Sequence, residues 1–232
     1  MSFFSLFKKQ PAASEPSPIR DFLFGDVPVL EWPRPASANR DAVPWSWFAT
    51  AQEAFQRGDS ATAVAALQQV LATPELESRH YLQAWHFLRA LGVAPAAGEG
   101  KQVLGVVLEV AMHGGLDLLA AYADNSARYI NYSGKIIVWE GGTDLPGGPI
   151  QALLTTAQPV AAAIGPWLDE RRQPPAAGGV RINLLTPSGL HFGEGDFAVL
   201  FQDPMGGPVL ARGQALMQAL MELPELLASP AA

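Results

Sequence analysis

Residues 101–142 read KQVLGVVLEVAMHGGLDLLAAYADNSARYINYSGKIIVWEGG, and no other run constrains the fold as much. Short apolar, β-branched and aromatic segments alternate there with compact turn signals: His113-Gly114-Gly115, Asp124-Asn125 and Ser133-Gly134. That spacing specifies antiparallel strands joined by tight hairpins. The middle of the chain is therefore expected to be a four-strand β-meander on which the flanking segments pack.

Ahead of the meander, residues 45–93 carry helical periodicity. A first helix is expected over 46–57 with Phe48, Ala51 and Phe55 on one face. Gly58-Asp59 breaks it, and Ser60 is read as the N-cap of a second helix over 61–73 that buries Val64, Leu67, Val70 and Leu71. Pro74 ends that helix, and a third, over 78–91, presents Tyr81, Leu82, Trp85 and Leu88. Behind the meander, a helix from Ile150 keeps its period through Leu168 with a kink expected at Pro159. Strands are expected over 180–186, 190–192 and 197–201, and a last helix begins at Pro208. Runs of strands separated by helices give an α+β class: three helices, four strands, a helix, two or three strands, a helix, with two helices covering an antiparallel sheet. The expected divisions are a Pro-rich extended arm over 1–44, a helical unit over 45–93, a linker, an α/β sandwich over 101–224, and a tail over 225–232.

The stretch AQEAFQRGDSATAVAALQQVLATP, residues 51–74, resembles one tetratricopeptide-type helical hairpin. Ala51, Ala54, Gly58-Asp59, Ala63, Leu67 and Pro74 lie near that family's pattern, while its Trp-Leu-Gly opening and its aromatic at the turn are missing. The resemblance implies protein binding by analogy. One unit is visible, and repeat arrays need about three to bury a continuous core, so the third helix is expected to supply the cover. At the level of layout the sandwich is similar to longin and profilin-like domains. The meander's wording resembles bacterial proteins, a likeness that implies no activity.

The charge balance narrows the functional classes. Net charge is −7, and the only basic clusters are the pairs Lys8-Lys9 and Arg171-Arg172. Phosphate backbones need a basic footprint, so nucleic acid is an unlikely ligand class. There is no cysteine, which excludes disulfides, thiolate metal sites and cysteine nucleophiles. No apolar run approaches the ~18–20 residues that cross a bilayer, and the N-terminus lacks signal-peptide features. A cytoplasmic location is the expectation.

Two groups of side chains are candidates for binding. A two-residue turn at Ser133-Gly134 would set Arg128, Tyr132, Lys135 and Trp139 on one sheet face, with Asp117 beside them. Such a face would hold an anionic ligand or a partner carboxylate; the plainer reading stacks Arg128 on Trp139. The second group is His191, Glu194 and Asp196, set among glycines, which reads otherwise as a surface hairpin loop. A third candidate is a tether: Phe3, Phe4, Leu6, Phe7, Lys8 and Lys9 would dock on an anionic membrane surface or in a partner's groove. No metal ligand set, cofactor motif or catalytic motif stands out. The leading expectation is a protein-interaction or adaptor protein without catalytic activity. The alternatives are a ligand-binding protein or enzyme using the Arg128/Lys135 face or the His191–Asp196 segment, and a self-assembling subunit.

Overall fold

The computed structural model describes residues 18–32, 41–141 and 147–228, with no side-chain detail after residue 223. The class is α+β, in the order expected from the sequence. Three helices, α1 (Trp45–Gln56), α2 (Ser60–Ala72) and α3 (Ser78–Ala90), precede strands β1 (Gly105–Met112), β2 (Gly115–Tyr122), β3 (Ala127–Ile130) and β4 (Ile136–Trp139). Helix α4 (Gly147–Ala163), strands β5 (Gly179–Thr186) and β6 (Gly189–Asp196), and helices α5 (Phe197–Gln202) and α6 (Gly206–Ala228) follow. The meander forms as β4-β3-β2-β1, and β5 then pairs antiparallel with β1, which makes one six-stranded sheet in the order β4-β3-β2-β1-β5-β6.

Each sheet face has its own cover. Val106, Leu108, Leu119, Ala121, Tyr129, Ile182 and Leu184 point to one face, where α4 and α6 bring Ile150, Leu153, Ala157, Val209, Leu216 and Leu220. Val107, Leu118, Ala120, Tyr122, Ile130 and Leu185 point to the other, which meets Leu82 of α3 and Leu23 and Phe24 of the arm. Burying side chains of this size contributes about 1.5–3 kcal/mol each, so the arm is part of the core. The Tyr122 hydroxyl donates to the Leu23 carbonyl at 2.7 Å. Gly25 turns the arm at φ +64°, where an added Cβ would lie 2.7 Å from the Leu82 Cβ. Only glycine fits both the backbone and the space.

The helical unit packs around Phe48, Ala51, Ala66, Leu67, Val70, Phe87 and Leu88. Its surface also holds the arm, which is not the extended segment expected: Pro18–Phe22 and Val29–Glu31 are short 3-10 helices. Gln83 of α3 accepts from the Val27 N–H at 3.1 Å and donates to the Val27 carbonyl at 2.8 Å. Gln52 of α1 donates to the Val29 and Leu30 carbonyls, both at 3.1 Å. The chain thus reads its own backbone with two buried amides. A second tie joins this unit to the sheet: the Asp124 carboxylate accepts from the Ser78 N–H at the start of α3, and the Ser78 hydroxyl accepts from the Asp124 N–H at 3.0 Å.

Several expectations are corrected. The 197–201 segment is helix, capped by the Asp196 side chain on the Ala198 N–H at 2.9 Å; a cap and a four-residue aromatic spacing outweigh its β-branched and aromatic content. Asp59, not Ser60, caps α2 by accepting from the Thr62 N–H. Helix α4 runs through Pro159 and stops at Ala163, which leaves Leu168 outside it and 89% exposed. Phe55, placed on a buried face by spacing, is 42% exposed. Helix α3 buries His80, Gln83, Ala84 and Phe87 besides Leu82 and Leu88, because it is covered by α1 and α2 on one side and the sheet on the other.

Candidate functional site

The β3–β4 hairpin differs in register from the two-residue expectation. Ile130 pairs with Ile136, and the loop is Tyr132-Ser133-Gly134, with Gly134 at φ +86°. The Asn131 side chain shapes it by accepting from the N–H groups of Ser133 and Lys135 at 3.1 and 3.0 Å. One extra loop residue turns every β4 side chain to the other face. Arg128 therefore faces Val138, while Trp139 pairs with Ala127 and packs into the α4–α6 side. Asp117 also lies on that side, accepting from the Tyr129 hydroxyl at 3.1 Å and the Tyr132 N–H at 2.7 Å. Burial, with the Asp117 carboxylate beside it, pushes the Tyr129 phenol up to about 12. Arg128 is buried and spent on both Glu140 oxygens at 3.0 Å and on the Trp139 carbonyl at 3.0 Å. Lys135 and Tyr132 are exposed at the loop, about three residues or ~10 Å along the strand from Arg128. The five residues do not form one pocket.

His191, Glu194 and Asp196 likewise diverge. Asp196 caps α5, and Glu194 lies across from Arg181 on the arm side of the sheet. His191 is fully buried on the opposite face. Its Nδ1 is 3.1 Å from the Ile164 carbonyl oxygen and its Nε2 is 3.0 Å from the Ser188 hydroxyl. A carbonyl only accepts, so in the neutral ring Nδ1 carries the proton and Nε2 accepts from Ser188. Burial pulls this imidazole below its usual range, against the Ile164 hydrogen bond, so it is neutral at pH 7. Ser188 also lies 2.9 Å from the Thr186 hydroxyl, and these contacts close the β5–β6 turn. The segment is strand, not surface loop. The candidate tether of Phe3, Phe4, Leu6, Phe7, Lys8 and Lys9 lies outside the described residues. Among the described residues, no group of three or more His, Asp or Glu is placed to hold a metal ion.

Two features that the sequence reading missed stand out. The first is a buried ion network. Glu109, fully buried in β1, accepts from Arg20 Nε at 2.6 Å, Arg181 Nη1 at 3.1 Å and Asn183 Nδ2 at 3.0 Å. Arg181 continues to Glu194 at 2.8 Å and donates to the Gln173 carbonyl at 2.7 Å; Arg20 donates to the Arg172 carbonyl at 2.8 Å. Arg171, stacked 4.2 Å over the Phe24 ring, pairs with Asp21 and Asp26. Arg20, Arg171, Arg172 and Arg181 are matched by Asp21, Asp26, Glu109 and Glu194, so the cluster is charge-balanced. It fastens the arm and the 171–173 segment to three strands. Its signal in the sequence is the polar residue inside each apolar strand: Glu109 in GVVLEVAM, Arg181 and Asn183 in GVRINLLT.

The second is a cleft of about 190 Å³ between the arm and the helical unit, lined by Phe22, Gly25, Val27, Trp32, Trp45, Glu77, Arg79, His80 and Gln83. Trp32, Trp45 and His80 form one wall, with ring centroids 5.0–6.4 Å apart. Arg79 pairs with Glu77 through Nη2 and lies 5.9 Å from the Tyr122 ring centre. Burial pulls the His80 imidazole below its usual range, partly offset by Glu77. Trp32, Trp45 and His80 come from three separate segments, so no local spacing announces them.

Three of the large apolar side chains exposed among the described residues, Phe197, Val199 and Phe201, lie together on α5. Its sequence is FAVLFQ, and none of its residues is buried. Phe197 and Phe201 stack on the outside at 5.7 Å, and Val199 is 71% exposed. The helix rests closely on α6. The N-terminus of α6 abuts it so closely that a Cβ at Gly207 would lie 2.3 Å from the Phe201 carbonyl oxygen. Asp203 orders the junction by accepting from the N–H groups of Met205 and Gly206 at 2.8 and 2.7 Å. Comparison of the chain with protein-family models, with curated proteins and with solved structures returns no match in any of the three.

Proposed function

We propose that this protein is a cytoplasmic interaction protein that docks another protein through α5 and acts without catalysis. The observation that supports the reading is a six-residue helix, five of its residues apolar, with none buried and α6 packed closely beneath it. Contiguous exposed apolar surface of this kind marks contact sites. A short helix with aromatic residues at i and i+4 suits a partner's apolar groove. Asp196 and Asp203 bracket the helix with negative charge, which favours a protein partner over an anionic membrane surface. No helix among the described residues is long and apolar enough to cross a membrane.

The groove across α1 and α3 holds the chain's own arm, so the helical hairpin is not the surface we assign to the partner. The test is cross-linking capture in the native host, comparing the full chain with the double variant Phe197→Ser, Phe201→Ser. Both side chains are outside the core, so the thermal transition should move little. Loss of the main captured partner, at unchanged folding, is the expected result. The same partners at the same yield with both chains would overturn the assignment. Light scattering on the two proteins reports whether the partner is a second copy.

A further inference from the structure

The two edges of the sheet are finished differently. At β6, Trp167 forms a bridge to Leu190, its N–H donating to the Leu190 carbonyl at 2.6 Å, and the rest of the strand carries Gly193, Glu194 and Gly195. Cover, charge and interrupted apolar content keep an edge strand from pairing with another chain. At β4 none of these is present. Its residues, Ile-Ile-Val-Trp, include no proline and no charge. Its ladder to β3 runs without a bulge, and among the described residues no segment pairs with its outer side.

The ladder fixes which backbone groups are left open. The Asn131 N–H donates to the Lys135 carbonyl at 3.0 Å, so the positions bonded toward β3 are Lys135, Ile137 and Trp139. Ile136 and Val138 then turn their N–H and C=O groups outward. Their side chains share the arm side of the sheet and are 46% and 49% exposed.

A second copy of the chain matches this edge. A two-fold axis normal to the sheet runs β4 antiparallel to β4 of the second copy and keeps each layer of helices on its own side. Opposed residues must then share a face, which restricts the register to steps of two. Centring the axis at Ile137 sets Ile136 against Val138 of the second copy, and the reverse, as hydrogen-bonded pairs that use all the outward backbone groups of both residues. Ile137 meets its own copy, and Lys135 lies opposite Trp139, a cation facing an aromatic ring. Glu140 lies opposite Gly134 and is already held by Arg128, so no like charges face each other. Centring at Val138 instead would set Ile136 against Glu140. Opposed β-branched residues are the pairs that stabilise sheets.

We propose that β4 is a self-association edge, through which two copies of the chain join antiparallel about Ile137 and merge their six-stranded sheets into one. So short a strand makes a small contact, and the dimer is a weak one.

Sedimentation of the full chain from about 5 to about 500 μM spans the affinity of such a contact, and the average mass is expected to rise toward that of two chains. Two double variants, Ile136→Lys with Val138→Lys and Ile136→Glu with Val138→Glu, set like charges opposite each other across the axis. Each alone should associate at least about tenfold more weakly. Mixed in equal amounts they should recover the dimer, because each lysine then opposes a glutamate. Both positions are exposed, so thermal transitions close to that of the wild-type chain are expected for each. The α5 variant, Phe197→Ser with Phe201→Ser, should associate as the wild-type chain does. A wild-type mass that stays at one chain throughout would overturn the proposal by itself, whatever the variants do. Association unchanged in both β4 variants, or a mixture of folded variants that stays monomeric, would overturn it too. Association lost in the α5 variant and kept in the β4 variants would place the second copy on α5 instead.

Discussion

Glu109 stands in the middle of an apolar strand, fully buried, with a guanidinium on each carboxylate oxygen. Taking such charges out of water is costly, and the network is favourable only because each member is paired. Removing one partner therefore costs more than the pair itself contributes. Glu109→Gln keeps shape and an acceptor but leaves Arg20 and Arg181 with less negative charge to face, and it is expected to lower unfolding stability in urea by about 3–5 kcal/mol. A loss under about 1 kcal/mol would mean that the arm relaxes and lets water reach both guanidinium groups. Part of this was legible. A lone Glu inside GVVLEVAM, with Arg and Asn two apart in GVRINLLT, signals a polar cluster on one sheet face. Arg20, from a segment 89 positions away, gives no such signal.

At the scale of elements, close approach decides the packing of α6. A Cβ on Gly213 would fall 2.2 Å from Leu108 Cδ1, inside the core between helix and sheet. Alanine favours helix over glycine by about 1 kcal/mol, but overpacking a filled core costs about 1–3 kcal/mol. Gly213→Ala should accordingly destabilise, and the same change in a Leu108→Ala background should be neutral or stabilising. A thermal-unfolding double-mutant cycle reads the difference. Equal effects in the two backgrounds would show that α6 shifts as a body. The helices and the meander were visible in the sequence because their signals are local: caps, periods and turn glycines. The β3–β4 register was not, since a three-residue loop with Gly134 in the left-handed region and a two-residue turn share the Ser-Gly signal. That single residue decides whether Trp139 joins Arg128. The 197–201 segment failed for a similar reason, because β-branched and aromatic content cannot distinguish a strand from a short capped helix.

Considered whole, the molecule has a pH-sensitive stability set by histidines held neutral. Burial pulls His80, His86 and His191 below their usual range, so the unfolded chain takes up protons that the native one excludes. With more protons bound in the unfolded state, stability rises with pH. On acidification the loss starts near pH ~6.5, the unfolded value, and continues down to the lowered native values, at a slope of up to ~1.4 kcal/mol per pH unit for each histidine. Urea midpoints measured from pH 7.5 to 5.5 should fall, and His191→Gln should flatten the curve; a level wild-type profile would contradict this. The placement of Arg20 has a further consequence for how the protein is made. Its partners lie 89 and 152 positions downstream, so the Arg20 guanidinium waits for Glu109 and then Arg172, long after Gln52 and Gln83 can hold the backbone of Val27, Val29 and Leu30. Until the strands that carry Val107, Leu118, Tyr122 and Leu185 have formed, Leu23, Phe24 and the sheet-facing Leu82 lack part of their cover and stay open to other chains. Part of the arm is thus seated only once the sheet exists, and the nascent chain is a client for whatever shields apolar segments during translation.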